Sequence, residues 1–166
     1  MQRLPEIFPV LSSIALVGAG LLTLAGRPLA GWKSVTLLCS LSYIAAAAVN
    51  SQLKYAFGRT WPETWFNNNP SLIRDGAFGF NPFHGGPGYA SFPSGHTTAI
   101  CSVMAVLWLC YPRGWPVYSL CIAVVVVGLL GADFHFFSDI LAGGFLGASA
   151  GWITLTLWRA KQAPNA

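Results

Sequence analysis

The sequence has few charged residues. Only 8% of its 166 residues are charged, against about a quarter in an average soluble domain. Hydrophobic residues make up 54%, and the mean hydropathy is +0.56. The nine basic residues are spread along the chain rather than gathered in a block, which argues against a nucleic-acid surface and is compatible with anionic lipid. The composition therefore predicts an integral membrane protein.

The sequence also lacks the spacings of a disulfide framework or a metal site. Its four cysteines lie in apolar runs and form no CxxC pair, and its three histidines and five acidic residues do not cluster at ligand spacings. We therefore expect no metal and no cofactor. The cysteines, expected to be small packing residues, are Cys39, Cys101, Cys110 and Cys121.

Five apolar segments approach the roughly 20 residues that a bilayer-spanning helix needs. They run approximately over Phe8–Ala25, Trp32–Ala56, Ser94–Tyr111, Trp115–Ala132 and Asp139–Trp158. We predict an all-α membrane bundle of about five transmembrane helices, forming one domain over residues 1–166. The first segment also has features of a signal peptide. Small residues, as in LAGGFLGASAG, predict close helix packing.

One long polar connection, Gly58–Phe92, separates the second and third segments. It is rich in glycine, proline, asparagine and aromatic residues. Loops of this length are usually functional or disordered, and the aromatic content is typical of a membrane interface. Two interpretations stay open: the loop shapes the way in for a lipid, or it is a simple interfacial anchor.

The basic residues predict an orientation. Those on the side expected to be cytoplasmic are Arg27, Lys33, Arg113, Arg159 and Lys161. Lys54, Arg59 and Arg74 lie around the long loop on the opposite side, against the usual bias. Their position there suggests that they bind an anion.

The same topology brings most of the remaining ionisable side chains to one level of the bundle, where such groups are usually functional. Ser94 is a good helix N-cap, and the free N–H groups around Gly95 and His96 at a helix start would form a seat for a phosphate. Gly95 would let the anion approach the backbone closely.

The chemistry of the other groups suggests phosphoryl transfer. His135 and Asp139 are four residues apart, which would place them on one helix face, with the carboxylate holding one ring nitrogen and the other acting as nucleophile. His96 could protonate the leaving oxygen. Lys54 and Arg59 would neutralise charge on the phosphoryl oxygens.

Three stretches carry a family resemblance: KYAFGRTWP at residues 54–62, PSGH at 93–96 and GLLGADFHFFSD at 128–139. In this order they resemble the motifs of the type 2 phosphatidic acid phosphatase family, membrane lipid phosphate phosphatases that share a site design with vanadium haloperoxidases. The resemblance covers about residues 32–158. It implies that His135 forms a phosphohistidine, that Asp139 orients it and that His96 acts on the leaving group.

Two phosphate-binding arginines of the family are missing. Trp61 stands where the family has the arginine before proline, and Leu129 follows Gly128 where it has Ser-Arg. Gly58 is well placed to end the second helix, which would let Arg59 fold back toward Lys54. We expect Lys54 and Arg59 to contact the phosphate, with Arg74 a weaker candidate for the third cation.

The sequence thus predicts a metal-independent lipid phosphate phosphatase in a bacterial inner membrane, with its site on the periplasmic or outer side. The missing arginines motivate one alternative, a catalytically impaired lipid-phosphate binding protein; the other is a small helical transporter or channel component. Phosphatidate, phosphatidylglycerophosphate, undecaprenyl diphosphate and lipid A phosphates all fit as substrates. His84 and Asp133 match no family position and are expected to be structural.

Overall fold

The computed structural model describes residues 4–27, 29–64 and 68–162, with side chains from Pro9 onward. Its helices are α1 (Leu4–Leu24), α2 (Trp32–Phe57), α3 (Leu72–Asp75), α4 (Gly95–Cys110), α5 (Trp115–Gly131) and α6 (Phe137–Gln162). Two short 3-10 turns lie at Pro87–Tyr89 and Pro112–Gly114. The all-α class is confirmed, and the described residues form only isolated bridges rather than strands.

All five predicted apolar segments are helical. Within the described ranges, three helical stretches are long and apolar enough to cross a membrane: Trp32–Phe57, Pro112–Gly131 and Phe137–Gln162. The apolar stretches Pro9–Leu24 and Gly95–Cys110 are shorter. The structure therefore has the predicted helices, of which three have the length and composition of a full span.

Helices α4 and α6 pack so closely that only glycine fits at three positions of α6. Gly143, Gly147 and Gly151 recur every four residues along one face of α6. A Cβ on Gly143 would lie 2.4 Å from the Ser94 carbonyl oxygen, and one on Gly147 would lie 2.4 Å from the Thr98 carbonyl oxygen. These contacts confirm the predicted packing through small residues, and they fix the start of α4 against the start of α6.

Helix α2 packs against both α4 and α6, α1 packs against α2, and α5 packs against α4. At the end of the bundle remote from the candidate site, Leu38, Val106 and Leu155 form a buried apolar cluster. The α2–α4–α6 core is therefore apolar at one end and carries the polar side chains at the other.

A buried amide ties α2 to the start of α4. The Asn50 Nδ2 donates to the Pro93 carbonyl oxygen at 3.3 Å and to the Thr98 hydroxyl oxygen at 3.0 Å. A polar side chain inside an apolar helix needs such partners, because it has no water to bond. Lys54 lies four residues after Asn50 in α2, so this tether also sets where the lysine lies relative to α4.

The long loop folds back onto the end of the bundle at Gly58. This residue ends α2 with φ 55°, as predicted, and a Cβ there would lie 1.8 Å from the Asn81 carbonyl oxygen. The loop backbone then runs beside Arg59 twice, with bridges to Phe80 and Ala90. Trp65 and Phe66, two of the loop's aromatic residues, lie outside the described residues.

The helix packing generates one test. In Gly147→Ala the new Cβ meets the backbone of α4, so the helices must separate, at a cost of about 1–3 kcal/mol. The matched control is Gly144→Ala, whose Cβ would make ordinary contacts at 3.6 Å and 3.7 Å. We expect thermal unfolding in detergent to show a Tm lower by several degrees for Gly147→Ala alone. Equal Tm values for both variants would contradict the proposed packing.

Candidate active site

The start of α4 is a helix N-terminus directed at a cavity. Ser94 is its N-cap, as predicted, and its hydroxyl oxygen accepts from the Thr97 N–H at 3.4 Å. The Ser94 N–H donates to the Asp139 carbonyl oxygen at 2.9 Å, which joins this helix start to α6. Because first-turn N–H groups have no acceptor within their helix, those of Gly95 and His96 are available to an anion.

Gly95 keeps the space beside that helix start open. A Cβ on this residue would lie 3.7 Å from both the Asn50 Oδ1 and the Lys54 Nζ, with no closer neighbour among the residues that the structure describes. The lysine ammonium is held in place because it donates to the Ala90 carbonyl oxygen at 2.7 Å. A cation and free N–H groups therefore face the same small volume.

His135 and Asp139 form a buried pair. The His135 Nδ1 lies 3.5 Å from the Asp139 Oδ2, and both side chains are almost fully buried. At this distance the pair does not form an aligned hydrogen bond, and the Nδ1 has no hydrogen-bond partner among the described residues. With Nδ1 facing the carboxylate, Nε2 is the ring nitrogen left for a substrate.

The expectation that His135 and Asp139 share one helix face is wrong. Helix α6 begins at Phe137, so His135 lies in the turn before it. The Asp139 Oδ2 reaches back to accept from the Phe136 N–H at 3.1 Å, as the residue at helix position N3 does in a capping box. The carboxylate thus caps its own helix and faces the histidine at the same time.

Asp139 collects further donors from distant parts of the chain. The Arg59 Nη1 lies 2.5 Å from Oδ1, and the Ser91 hydroxyl donates to Oδ2 at 2.6 Å. The carboxylate itself is fully buried. Its charge is therefore balanced by a guanidinium and by neutral donors rather than by water.

A cavity of about 580 Å³ opens beside this pair. One end of its lining contains the ionisable side chains of Lys54, His96 and His135, with Trp61 and Gly95 beside them. The remaining lining includes mostly small or apolar side chains: Tyr43, Ala47, Asn50, Ser51, Thr98, Ala99, Ile100, Val125 and Phe134. The two imidazole rings at the polar end are 6.3 Å apart between centroids.

The structure brings most of the predicted site residues together and leaves two apart. His96, His135, Lys54 and the start of α4 share the cavity. The Arg59 guanidinium lies on Asp139 and is absent from the described lining. Arg74 is exposed, and it pairs with Asp75 at 3.1 Å.

Trp61 occupies the position where an arginine was expected. Its ring centroid lies 5.1 Å from that of His135, and the Lys54 Nζ lies 5.8 Å from it. The indole N–H donates to the Pro87 carbonyl oxygen at 2.8 Å. An aromatic ring held by the loop therefore covers the histidine where a cation was expected.

Sequence reasoning missed Asn50 and Ser91. An asparagine one turn before Lys54 in an apolar helix is a signal that could have been used, because polar groups inside such helices are seldom idle. Ser91 gives no comparable signal, since its contact with Asp139 depends on how the loop folds. Asp133 adopts φ 51° and its carbonyl oxygen accepts from the Glu63 N–H, while His84 packs edge-on against Tyr89 at 4.1 Å.

Comparisons with known proteins agree on a family. A model described as the PAP2 superfamily matches residues 35–163. The chain is similar to the lipid A 1-phosphatase of Rhizobium etli, with 32% identity over 103 residues, which are 62% of this chain and 40% of that protein. The lipid A 1-phosphatase of Rhizobium johnstonii gives the same identity over 62% of this chain and 38% of its own. The chain thus spans about two fifths of these relatives' length. No solved structure matches it.

The burial of His135 generates a second test. Burial lowers the pKa of His135 below the ordinary 6.5, because it penalises the charged imidazole more than Asp139 stabilises it. We expect NMR titration of the ring to give a midpoint below 6.5, so that the neutral form is present throughout neutral pH. Trp61→Ala should raise the midpoint by admitting water. A wild-type midpoint above 6.5 would contradict this description of the site.

Proposed function

This chain belongs to the PAP2 superfamily, and we propose that it is a membrane-embedded lipid phosphate phosphatase that works through a phosphohistidine at His135. One observation carries the proposal. A cavity with two histidines and a lysine at one end is lined by apolar side chains over most of the rest. Such a site suits a molecule with a phosphate at one end and hydrocarbon at the other.

In the first chemical step the Nε2 of neutral His135 attacks phosphorus. The N–P bond forms as the bond from phosphorus to the lipid oxygen breaks, and His96 donates a proton to that leaving oxygen. Asp139 stabilises the positive charge that develops on the His135 ring, since its carboxylate faces Nδ1.

In the second step water releases the phosphate. His96, now neutral, accepts a proton from a water molecule whose oxygen attacks phosphorus, and the N–P bond breaks to regenerate His135. One imidazole therefore serves as acid and then as base. The ring centroids of the two imidazoles are 6.3 Å apart and both rings line the cavity, so both can reach one phosphoryl group.

The developing charge on the phosphoryl oxygens is balanced by Lys54 and by the first N–H groups of α4. The lysine ammonium and the open side of Gly95 face each other, and the helix dipole adds a positive potential there. Phosphoryl transfer depends mainly on such positioning and electrostatic stabilisation. Lys54 is the one lysine or arginine among the described residues that line the cavity.

The apolar lining and the relatives support a substrate class. Ala47, Ala99, Ile100 and Val125 offer a surface for hydrocarbon next to the phosphate seat. Two proteins similar to this chain are lipid A 1-phosphatases. We propose a phosphomonoester or diphosphate of a membrane lipid, with the 1-phosphate of lipid A as the first candidate.

The second candidate function is lipid-phosphate binding without turnover. It is favoured by the single lysine in the described lining, where the family motifs would supply additional arginines. Turnover by the purified protein separates the two functions, because a binding protein would show saturable binding and no phosphate release.

The third test therefore measures inorganic phosphate released from lipid A 1-phosphate, phosphatidate, phosphatidylglycerophosphate, undecaprenyl diphosphate and soluble glucose 1-phosphate. We expect turnover of at least one lipid, at least about a hundredfold faster than of the soluble ester, because the apolar contacts contribute to binding. His135→Ala should lower kcat by at least about a thousandfold. The matched control is His84→Ala at an exposed histidine, which should leave kcat unchanged. Normal turnover by His135→Ala would refute the mechanism.

The fourth test concerns location. We propose a bacterial inner membrane with the site on its periplasmic side, because the basic residues of the long loop lie opposite the larger basic group. In a background with all four cysteines replaced by serine, Asn68→Cys should react with an impermeant thiol reagent in spheroplasts. Arg113→Cys, also exposed, should react only after lysis. The reverse pattern would place the site in the cytoplasm.

A further inference from the structure

We infer that Arg59 is a positioning residue: it holds the Asp139 carboxylate against His135 and acts on the phosphate only through that carboxylate. This inference rests on the proposed function. It assigns the arginine a different role from the phosphate contact that its sequence position suggested.

The guanidinium contacts α6 through its Nη1, and Arg59 is absent from the described lining of the cavity. Its buried Nε has no hydrogen-bond partner among the described residues. Its Nη1 lies 2.5 Å from the Asp139 Oδ1 and donates to the Ser138 hydroxyl oxygen at 2.7 Å. The Arg59 side chain is 8% exposed and that of Asp139 is 0% exposed. A buried carboxylate needs such a partner, since an uncompensated charge would be strongly destabilising.

Aromatic rings enclose the same guanidinium. Its central carbon lies 4.1 Å from the ring centroid of Phe136, 4.9 Å from that of Phe80 and 5.6 Å from that of Phe78. Rings at these distances attract a cation and exclude water from it. Phe78 and Phe80 belong to the long loop, so the arginine also attaches this loop to the site.

The two oxygens of Asp139 have separate partners. Oδ1 accepts from the Arg59 guanidinium, whereas Oδ2 accepts from the Ser91 hydroxyl and faces the Nδ1 of His135. The Arg59 backbone contributes as well, because its carbonyl oxygen accepts from the Ser91 N–H at 3.2 Å. Loss of the Arg59 side chain would leave Oδ1 without its charged partner, and we expect the carboxylate then to hold the imidazole less firmly.

A double-mutant cycle tests this role. We expect Arg59→Gln to lower kcat on the best lipid substrate by at least about tenfold, and to change KM and the inhibition constant of vanadate by less than about threefold. In an Asp139→Asn background the same substitution should cause little further loss. Arg59→Lys, which keeps the charge, should recover part of kcat.

Lys54→Gln is the control for a true phosphate ligand. This substitution should weaken the binding of vanadate, whose geometry resembles the transferring phosphoryl group. The loss of kcat that it causes should add to the loss caused by Asp139→Asn. The inference is overturned if Arg59→Gln weakens vanadate binding as much as Lys54→Gln does and if its loss of kcat adds to that of Asp139→Asn.

Two further outcomes remain decisive. If Arg59→Gln does not fold, Arg59→Lys carries the test: near wild-type vanadate affinity with reduced kcat supports the inference, and weakened vanadate overturns it. If the wild-type protein turns over no lipid, the proposed function fails. Vanadate affinity, measured by calorimetry, then still decides whether Arg59 or only Lys54 contacts the anion.

Discussion

A fully buried carboxylate has to be neutralised and hydrogen-bonded, and Asp139 meets this requirement with groups from separate parts of the chain. Arg59 arrives from the end of α2, Ser91 from the end of the long loop, and the Phe136 N–H from the turn before α6. This one side chain contacts His135, the end of the long loop and the start of α6, and so fixes their relative positions. Because no water can replace a missing partner there, these elements are fixed together.

The phosphate seat is held to the same point by backbone packing. The Ser94 N–H donates to the Asp139 carbonyl oxygen, and Gly143, one turn later in α6, lets the Ser94 carbonyl approach. The N-terminus of α4 and the imidazole of His135 are thereby placed relative to each other by main-chain contacts, which are stiffer than long side chains. This stiffness suits a reaction in which much of the catalysis comes from positioning.

Local features of this structure could be predicted from the sequence, because their causes are local. Gly58 ends α2 and Ser94 caps α4 for reasons of backbone geometry and hydrogen bonding within a few residues. The glycine-rich run of α6 indicated close packing in the same way. His135 was placed on a helix face by its spacing from Asp139, and this was wrong because the carboxylate caps the helix and leaves His135 in the preceding turn. The partners of Arg59 could not be predicted, since they depend on the path of a loop of more than thirty residues.

The most direct test of the proposed mechanism is to trap the covalent intermediate. Purified wild-type protein is mixed with a lipid substrate labelled with ³²P in its phosphate, quenched in alkali within a single turnover and digested for peptide mapping. We expect label that is stable in alkali, lost in acid and carried by the peptide containing His135, and we expect it to disappear when turnover is allowed to finish. Label on another residue, or single-turnover phosphate release with no label on His135, would contradict the mechanism.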